Sequence, residues 1–397
     1  MMSQEKRATL NIALVGGGFM AKAHSNAYHT IPYIYNKSNY RINLDSLSAA
    51  TIEEAEEAAR RYSFTNAYEG YEEAVAKSSI DIVDICAADF IHKDIAVAAL
   101  AHGKHVLCEK PLANSLEDAR TMYDAAVRAR TKTMCGFNYR FVPAVRLAKI
   151  LLERGIMGRI YTFNGAYNQD SGAFDDIPLE RLWYAYGSKA SGVSYGIGSH
   201  IIDMARFLVG EITTVSGLMK IYTKERPSNK GLQKVLKEEE MLALVEFNNE
   251  ASGILKASAV AAGRKNQLTF EISCSKGSLS FDLEEPNYLN VFLKDSPVVQ
   301  VSGFTKVNVT QIDREHPFMD VWWPRGHGIG WEHAHINEIA HFLDCIANNK
   351  DIAPYGATFK DGLRAIEIIE AIRLSDQIKS KVKVNNYGDS DYRVRKG

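Results

Sequence analysis

The chain has 397 residues, more than one hydrophobic core usually serves, and its 46% hydrophobic and 24% charged composition excludes a disordered or low-complexity protein. With 47 Lys and Arg against 48 Asp and Glu, the formal net charge is -1, and the only dense basic run is Arg393-Val394-Arg395-Lys396; no nucleic-acid partner is expected. Cys86, Cys108, Cys135, Cys274 and Cys345 are odd in number and scattered, so they read as reduced core residues. No apolar signal region follows Met1, and no run is long enough to span a membrane, which makes a cytoplasmic enzyme the expectation.

In chain order, the apolar strand Asn11-Ile12-Ala13-Leu14-Val15 runs into Gly16-Gly17-Gly18-Phe19-Met20-Ala21 and a helix predicted to Thr30. Gly16 permits a tight turn, Gly18 removes a side chain that would block a pyrophosphate, and Ala21 lets the helix pack closely on the strand. The helix N-terminus then faces phosphate. A strand follows at Arg41 to Ala49, a helix at Ile52 to Tyr62 with Glu in its first turns, and a helix at Gly70 to Lys77. The strand Ile80 to Cys86, the helix His92 to His102, the strand His105 to Cys108, the helix Ser115 to Arg130 and the strand Thr133 to Phe137 continue the alternation. Such alternation predicts an α/β fold, a doubly wound parallel sheet, over residues 1–138.

After a helix from Pro143 to Arg154 the pattern changes to longer strands. These are Ile160 to Tyr167, Ile212 to Tyr222, Glu240 to Phe247, Ala251 to Val260, Asn266 to Cys274, Ser278 to Phe281 and Tyr288 to Leu293. Turns at Asn248-Asn249-Glu250 and Ser275-Lys276-Gly277 predict a large, mostly antiparallel open sheet in an α+β domain over residues 139–397. Helices at His333 to Ala347 and Phe359 to Lys379 close the chain, and packing of these last helices back on the first domain stays open. The loop from Asn168 to Ala190, rich in aromatic and charged residues, has the character of a binding loop.

Two constellations carry chemistry. Glu109-Lys110-Pro111 stands at the carboxyl end of a parallel strand, where such sheets bind ligands, and proline restricts Lys110 to extended geometry with a cis bond open to it. A lysine beside an oxidised nicotinamide has its pKa lowered by like charge and becomes usable in proton transfer. In Tyr195-Gly196-Ile197-Gly198-Ser199-His200-Ile201-Ile202-Asp203, His200 and Asp203 share a helix face; a core histidine anchored by Asp203 is the structural alternative. His327, His333, His335 and His341 with Glu332 invite a zinc reading, but His333 and His335 are two apart and face differently, so no metal is expected.

The glycine turn, Ala23-His24-Ser25-Asn26-Ala27, Glu109-Lys110-Pro111, Gly136-Phe137-Asn138-Tyr139-Arg140 and Gly198-Ser199-His200-Ile201-Ile202-Asp203 together resemble the Gfo/Idh/MocA oxidoreductase family over nearly the whole chain. Gly263-Arg264-Lys265-Asn266 and Gly277-Ser278-Leu279 further resemble its branch of levoglucosan and other pyranose or inositol dehydrogenases. The resemblance implies an NAD(P)-dependent dehydrogenase that oxidises a secondary hydroxyl of a cyclic polyol, pyranose or anhydrosugar. NAD is the expected cofactor, with NADP left open, and a homo-oligomer, dimer or tetramer, is expected. By resemblance Gly16, Gly18, Phe19 and Met20 line the pyrophosphate, Ser48 stands at the adenosine ribose, Asp89 and His92 edge the adenosine half, and Glu109 and Asn138 meet the nicotinamide ribose. Lys110 and His200 form the proton-transfer pair, Lys110 also lying against the cofactor, while Tyr167, Trp183, Lys189, Asp203 and His335 neighbour the substrate.

Two positions depart from the family pattern. The acid expected four residues before the histidine is Gly196, leaving Asp203 or Asp170 as substitutes, and the end of the second strand reads Ser48-Ala49-Ala50-Thr51 without the carboxylate that NAD-preferring relatives place there. Asp45 fills that role only if the strand ends earlier. Residues 183, 184 and 186 are aromatic, readable as core, oligomer contact or sugar-stacking surface. A redox-assisted glycosidase and a non-catalytic dinucleotide-sensing regulator are the alternative functions.

Overall fold

A computed structural model describes residues 8–384 except 183, 185–189, 296–301 and 315. It forms two compact units: residues 1–141 with 330–363, and residues 142–329 with 364–397.

In the first unit β1 (Ala8–Val15), α1 (Phe19–Ile34), β2 (Tyr40–Ala49), α2 (Ile52–Tyr62), β3 (Asn66–Glu69), α3 (Glu72–Ala76), β4 (Ile82–Ile85), α4 (His92–Ala101), β5 (His105–Cys108), α5 (Leu116–Ala129) and β6 (Thr133–Cys135) alternate. The sheet order is β3-β2-β1-β4-β5-β6 with every pairing parallel, the order of dinucleotide-binding sheets, whose crevice opens between β1 and β4. Local chemistry explains the helices. The Thr51 and Ser115 side chains accept from the Glu54 and Asp118 N–H groups, acids occupy both first turns, and the caps Ser63 and Arg130 leave the helices in the left-handed conformation. The second strand runs through to Ala49, so the earlier end that Asp45 required does not occur; Asp45 sits in mid-strand, its carboxylate 2.6 Å from the Lys77 ammonium.

The first unit is completed by the helix Trp331–Ala347, which packs along α1. Its buried face carries Ile336, Ile339, Ala340 and Leu343, and each large side chain there contributes roughly 1.5–3 kcal/mol of burial.

The second unit begins with α6 (Pro143–Glu153), with proline at its first position, and β7 (Ile160–Asn168). A π-helical turn, Ser194–Gly198, leads into α7 (Ser199–Leu208). Then come β8 (Ile212–Lys220), β9 (Glu225–Arg226), β10 (Gln233–Lys234), β11 (Glu240–Phe247), β12 (Ser252–Ser258), β13 (Gln267–Cys274), β14 (Gly277–Asp282), β15 (Tyr288–Leu293) and β16 (Thr305–Asn308). Trp331–Ala347 is α8; α9 (Phe359–Ile378) and β17 (Val382–Lys383) end the described chain. The sheet order is β16-β15-β14-β13-β7-β12-β11-β8-β17, with β7 and β12 parallel and the other neighbours antiparallel. The short strands β3, β9, β10, β16 and β17 have too few residues to show a period, which is why the sequence pattern misses them. Alternation along β11 and β12 buries Met241, Ala243, Val245, Leu255 and Ala257 and exposes Leu244 and Ile254 on the opposite face. α7 packs on β7 and β12, and Gly165 makes room for it: a Cβ there would stand 2.7 Å from Ile201.

Candidate active site

The turn after β1 is built for close approach. Gly16 has φ +123°, and a Cβ on it would stand 2.6 Å from the Cys86 carbonyl oxygen, so only glycine fits. Gly18, the N-cap of α1, has no side-chain cap, and a Cβ on it would meet nothing within 4 Å. Among the described residues no side chain caps the first turn of this sixteen-residue helix, and its positive end suits an anionic group. Phe19 is exposed and stacks on Trp331, ring centroids 5.4 Å apart. Between this turn and α2 lies a groove of about 390 Å³ lined by Gly17, Gly18, Glu54, Glu57, Ala58, Arg61 and Tyr62. At the end of β2 the Ser48 hydroxyl is buried with no hydrogen-bond partner among the described residues. An open glycine cradle, uncapped helix N–H groups and an orphaned hydroxyl fit a dinucleotide.

Asp89 opens the short 3₁₀ turn Asp89–Ile91, half-buried, and His92 begins α4. His92 is buried with its ring nitrogens against the Pro111, Leu112 and Ala87 carbonyls, at 3.1, 3.3 and 3.0 Å. It thus ties the loop after β4 to the turn after β5. That turn holds Glu109, Lys110 and the cis bond to Pro111. Lys110 is half-buried, and desolvation holds its pKa below the usual lysine value against the pull of Glu109, Cys135 and Asp89. The lowering expected of a lysine beside a nicotinamide is already produced by burial.

The Lys110 N–H donates to Glu109 Oε2 at 3.0 Å, and Glu109 Oε1 lies 3.2 Å from His24 Nε2. The Asn138 amide donates to His335 Nε2 at 3.1 Å. His335 is 2% exposed, and burial together with the nearby His24 charge lowers its pKa to about 3, so it is a neutral acceptor. Its ring lies 5.6 Å from that of His24 and 4.5 Å from that of Trp331. The structure therefore groups His335, expected beside the substrate, with Asn138, while His333 bonds the Gly330 N–H at the start of the same helix. The sequence pattern places Cys86 in the core, where it is found, and His24 in a family motif, but it marks neither His24 nor Asp84 as a site residue; the signal within reach was an ionisable residue on an otherwise apolar helix face and another inside a buried strand.

In the second unit His200 lies in the first turn of α7, nearly buried, its ring 5.8 Å from and edge-on to that of Tyr167. The Tyr167 hydroxyl donates to Asn266 Oδ1 at 2.6 Å, where Gln169 also donates, and this fixes the tyrosine. Asp203 follows one turn after His200 and is buried. Asp170 is committed elsewhere: Lys265 lies 2.5 Å from its carboxylate and holds its pKa down. Gly196 is buried inside the π-helical turn, which Glu238 braces by accepting from the Ser194 N–H at 3.2 Å and from its hydroxyl. Tyr184 is buried as core, whereas Trp183 and Lys189 lie outside the described residues, as does residue 186.

Residues 10–137 match the model of an oxidoreductase family with an NAD-binding Rossmann fold, and residues 149–384 match the C-terminal alpha/beta domain of the same family. Levoglucosan dehydrogenase of Pseudarthrobacter phenanthrenivorans is 36% identical over 94% of this chain and 98% of that protein. Glucose-6-phosphate 3-dehydrogenase of Bacillus subtilis is 26% identical over 94% of this chain and 98% of that protein. A solved structure of levoglucosan dehydrogenase in complex with NADH and levoglucosan superposes with a TM-score of 0.90 at 36% identity, covering 95% of this chain and all of that one. With both family domains matched over most of its length, the chain belongs to the Gfo/Idh/MocA family and is an NAD(P)-dependent oxidoreductase of CH–OH groups with an NAD-binding Rossmann domain.

Proposed function

We propose that the protein oxidises a secondary hydroxyl of a pyranose, anhydrosugar or cyclic polyol, with Lys110 and His200 taking up the hydroxyl proton. The observation that carries this reading is Lys110 itself, a half-buried lysine of lowered pKa anchored through its own N–H at the carboxyl end of β5. Similarity to levoglucosan dehydrogenase over nearly the full length supports the substrate class. NAD, when bound, supplies the hydride acceptor. Gly16 and Gly18 admit its diphosphate, the first turn of α1 binds it, Ser48 offers a hydroxyl to the adenosine ribose, and Asp89 and His92 shape the adenosine side. Glu109 and Asn138 hold the nicotinamide ribose. Tyr167, Trp183, Lys189, Asp203 and His335 are proposed around the substrate, Asp203 serving in place of the acid absent at Gly196. A dinucleotide-reduction screen over inositols, hexoses and anhydrosugars tests the reading, with NADH formation on at least one of them as the expected result. Binding of NAD without turnover of any of these would instead support the dinucleotide-sensing regulator, which the buried glycine at 196 favours. Elimination of an aglycone with no net NADH would support the redox-assisted glycosidase.

Two further outcomes follow from the site. Oxidation needs the neutral Lys110 amine, and its folded pKa is depressed, so turnover should rise with pH and level off below the ordinary lysine value of about 10.4. A rise in kcat centred at or above that value would remove Lys110 from the proton step. Because β2 ends in Ser48-Ala49 and the Asp45 charge is spent on Lys77, NAD should be preferred over NADP by no more than roughly a hundredfold. Steady-state efficiencies with both cofactors measure this, and a preference beyond ten-thousandfold would mean an unidentified carboxylate guards the ribose.

Assembly as a homo-oligomer, dimer or tetramer, through the sheet face that exposes Leu244 and Ile254 is part of the proposal, as is a cytoplasmic location. Among the described residues no helix is long and apolar enough to cross a membrane.

A further inference from the structure

The proton-transfer scheme makes no use of a buried ionisable cluster beneath the turn that carries Lys110. His24, on the inner face of α1, is completely buried, as is Asp84 on β4, and Glu109 is 4% exposed. His24 Nδ1 lies 3.0 and 2.9 Å from the two Asp84 oxygens, and Nε2 lies 3.2 Å from Glu109 Oε1. The Tyr28 hydroxyl donates to Asp84 Oδ2 at 3.0 Å, and the Cys86 sulfur stands 3.3 Å from His24 Nδ1. His335 faces the same ring from α8, and Lys110 adjoins Glu109 from the other side.

A neutral imidazole has one N–H, which would leave its other nitrogen pointing a lone pair at a buried carboxylate. The imidazolium donates to both. Burial opposes the charge on His24, but the Asp84 carboxylate outweighs it and raises the His24 pKa well above the usual value. Burial likewise opposes ionisation of Glu109, yet the His24 bond and charge, with Lys110, hold its pKa below the usual carboxylate value. The remaining groups do not compete: burial pushes the Cys86 thiol and the Tyr28 hydroxyl up, and His335 is neutral. Two trios of ligand-type atoms occur here, His24 with Glu109 and His335, and His24 with Asp84 and Cys86. Both share His24, whose two nitrogens are already spent on hydrogen bonds, so ion pairing rather than a metal accounts for the geometry.

We infer that His24 is a permanently charged positioning residue, an imidazolium clasped between Asp84 and Glu109 that keeps Glu109 ionised and oriented so that it can grip the Lys110 main chain and the dinucleotide together. The chain of contact is continuous. Asp84 fixes the ring, the ring fixes Glu109 Oε1, and Glu109 Oε2 takes the Lys110 N–H. Gly136 allows the carboxylate its place, since a Cβ there would stand 2.8 Å from Oε1. Removing the charge of His24 would leave the buried Glu109 carboxylate without the cation that hydrogen-bonds to it, with Lys110 as the remaining charge, and burial would then push its pKa up towards neutral. The part concerning dinucleotide rests on the proposed function; the charge on His24 does not.

The test has two arms. In cofactor-free protein labelled with ¹⁵N-histidine, the resonances missing from His24→Gln identify His24, which should show two protonated nitrogens throughout pH 6 to 9; a neutral ring at pH 7.5 would overturn the inference. In the second arm NADH binding is followed by fluorescence against pH. Wild type should be flat from pH 6 to 9, His24→Gln should lose about tenfold in affinity between pH 9 and pH 6 as Glu109 protonates, and in a Glu109→Gln background the His24 substitution should add nothing. A flat profile at wild-type affinity in His24→Gln would sink the positioning role. Failure of wild type to bind NADH would count against the functional reading alone, with the histidine spectrum still deciding the charge; if His24→Gln does not fold, Asp84→Asn and Glu109→Gln shift the same resonances and identify them.

Discussion

Lys110→Ala should lower turnover by at least roughly a hundredfold while NAD affinity changes by less than about threefold, because a general base is lost and the main-chain grip of Glu109 on residue 110 remains. Steady-state kcat on the substrate found in the dinucleotide-reduction screen, beside calorimetric NAD binding, separates the two quantities. His200→Ala should behave alike, since its ring stands in the first turn of α7 with Tyr167 against it. Gly196→Asp should raise activity if the π-helical turn keeps its shape, whereas near wild-type turnover in both alanine variants would move the proton step to Asp203 or Lys189.

Gly18→Val is the second large effect. It should abolish NAD binding and leave the fold intact, because position 18 is extended, with φ -84°, and has no protein atom within 4 Å of a Cβ, so the new side chain meets only the space proposed for the diphosphate. Two positions earlier the same change fails differently. A Cβ at Gly16 would collide with the Cys86 carbonyl in a left-handed backbone, so Gly16→Val should unfold the first unit. Calorimetry and circular dichroism distinguish the two cases, and unaltered NAD affinity in Gly18→Val would detach the cofactor from this turn.

What could be read in the sequence was what lies close along it. The glycine turn, the Glu109-Lys110-Pro111 corner and the alternation of five of the six parallel strands are local patterns, and the sheet order agrees with the parallel, doubly wound reading. The large sheet was legible for the same reason, its hairpins being marked by Asn248-Asn249-Glu250 and Ser275-Lys276-Gly277. His24, Asp84 and Glu109 were not readable as a unit, because their contacts span 60 and 85 residues and no spacing rule joins a helix, a strand and a loop over such distances. The partnership of Asn138 with His335 spans 197 residues and was hidden likewise. Asp45 was ambiguous because the end of a strand is set by sheet pairing, here with β3 as far as Ala49, and not by its own residues.

The discontinuity of the first unit has a consequence for biosynthesis. As the polypeptide leaves the ribosome, residues 1–141 emerge first, but the helix that lies along α1 and supplies His335 to Asn138 emerges only after residues 142–329 have been made. Until then the apolar flank of α1 and the imidazole of His24 lack the cover that α8 supplies, and apolar surface left exposed during synthesis favours aggregation. Vectorial synthesis thus leaves this flank of the first unit uncovered until α8, which ends at Ala347, has been made, and a chain terminated before α8 should expose it.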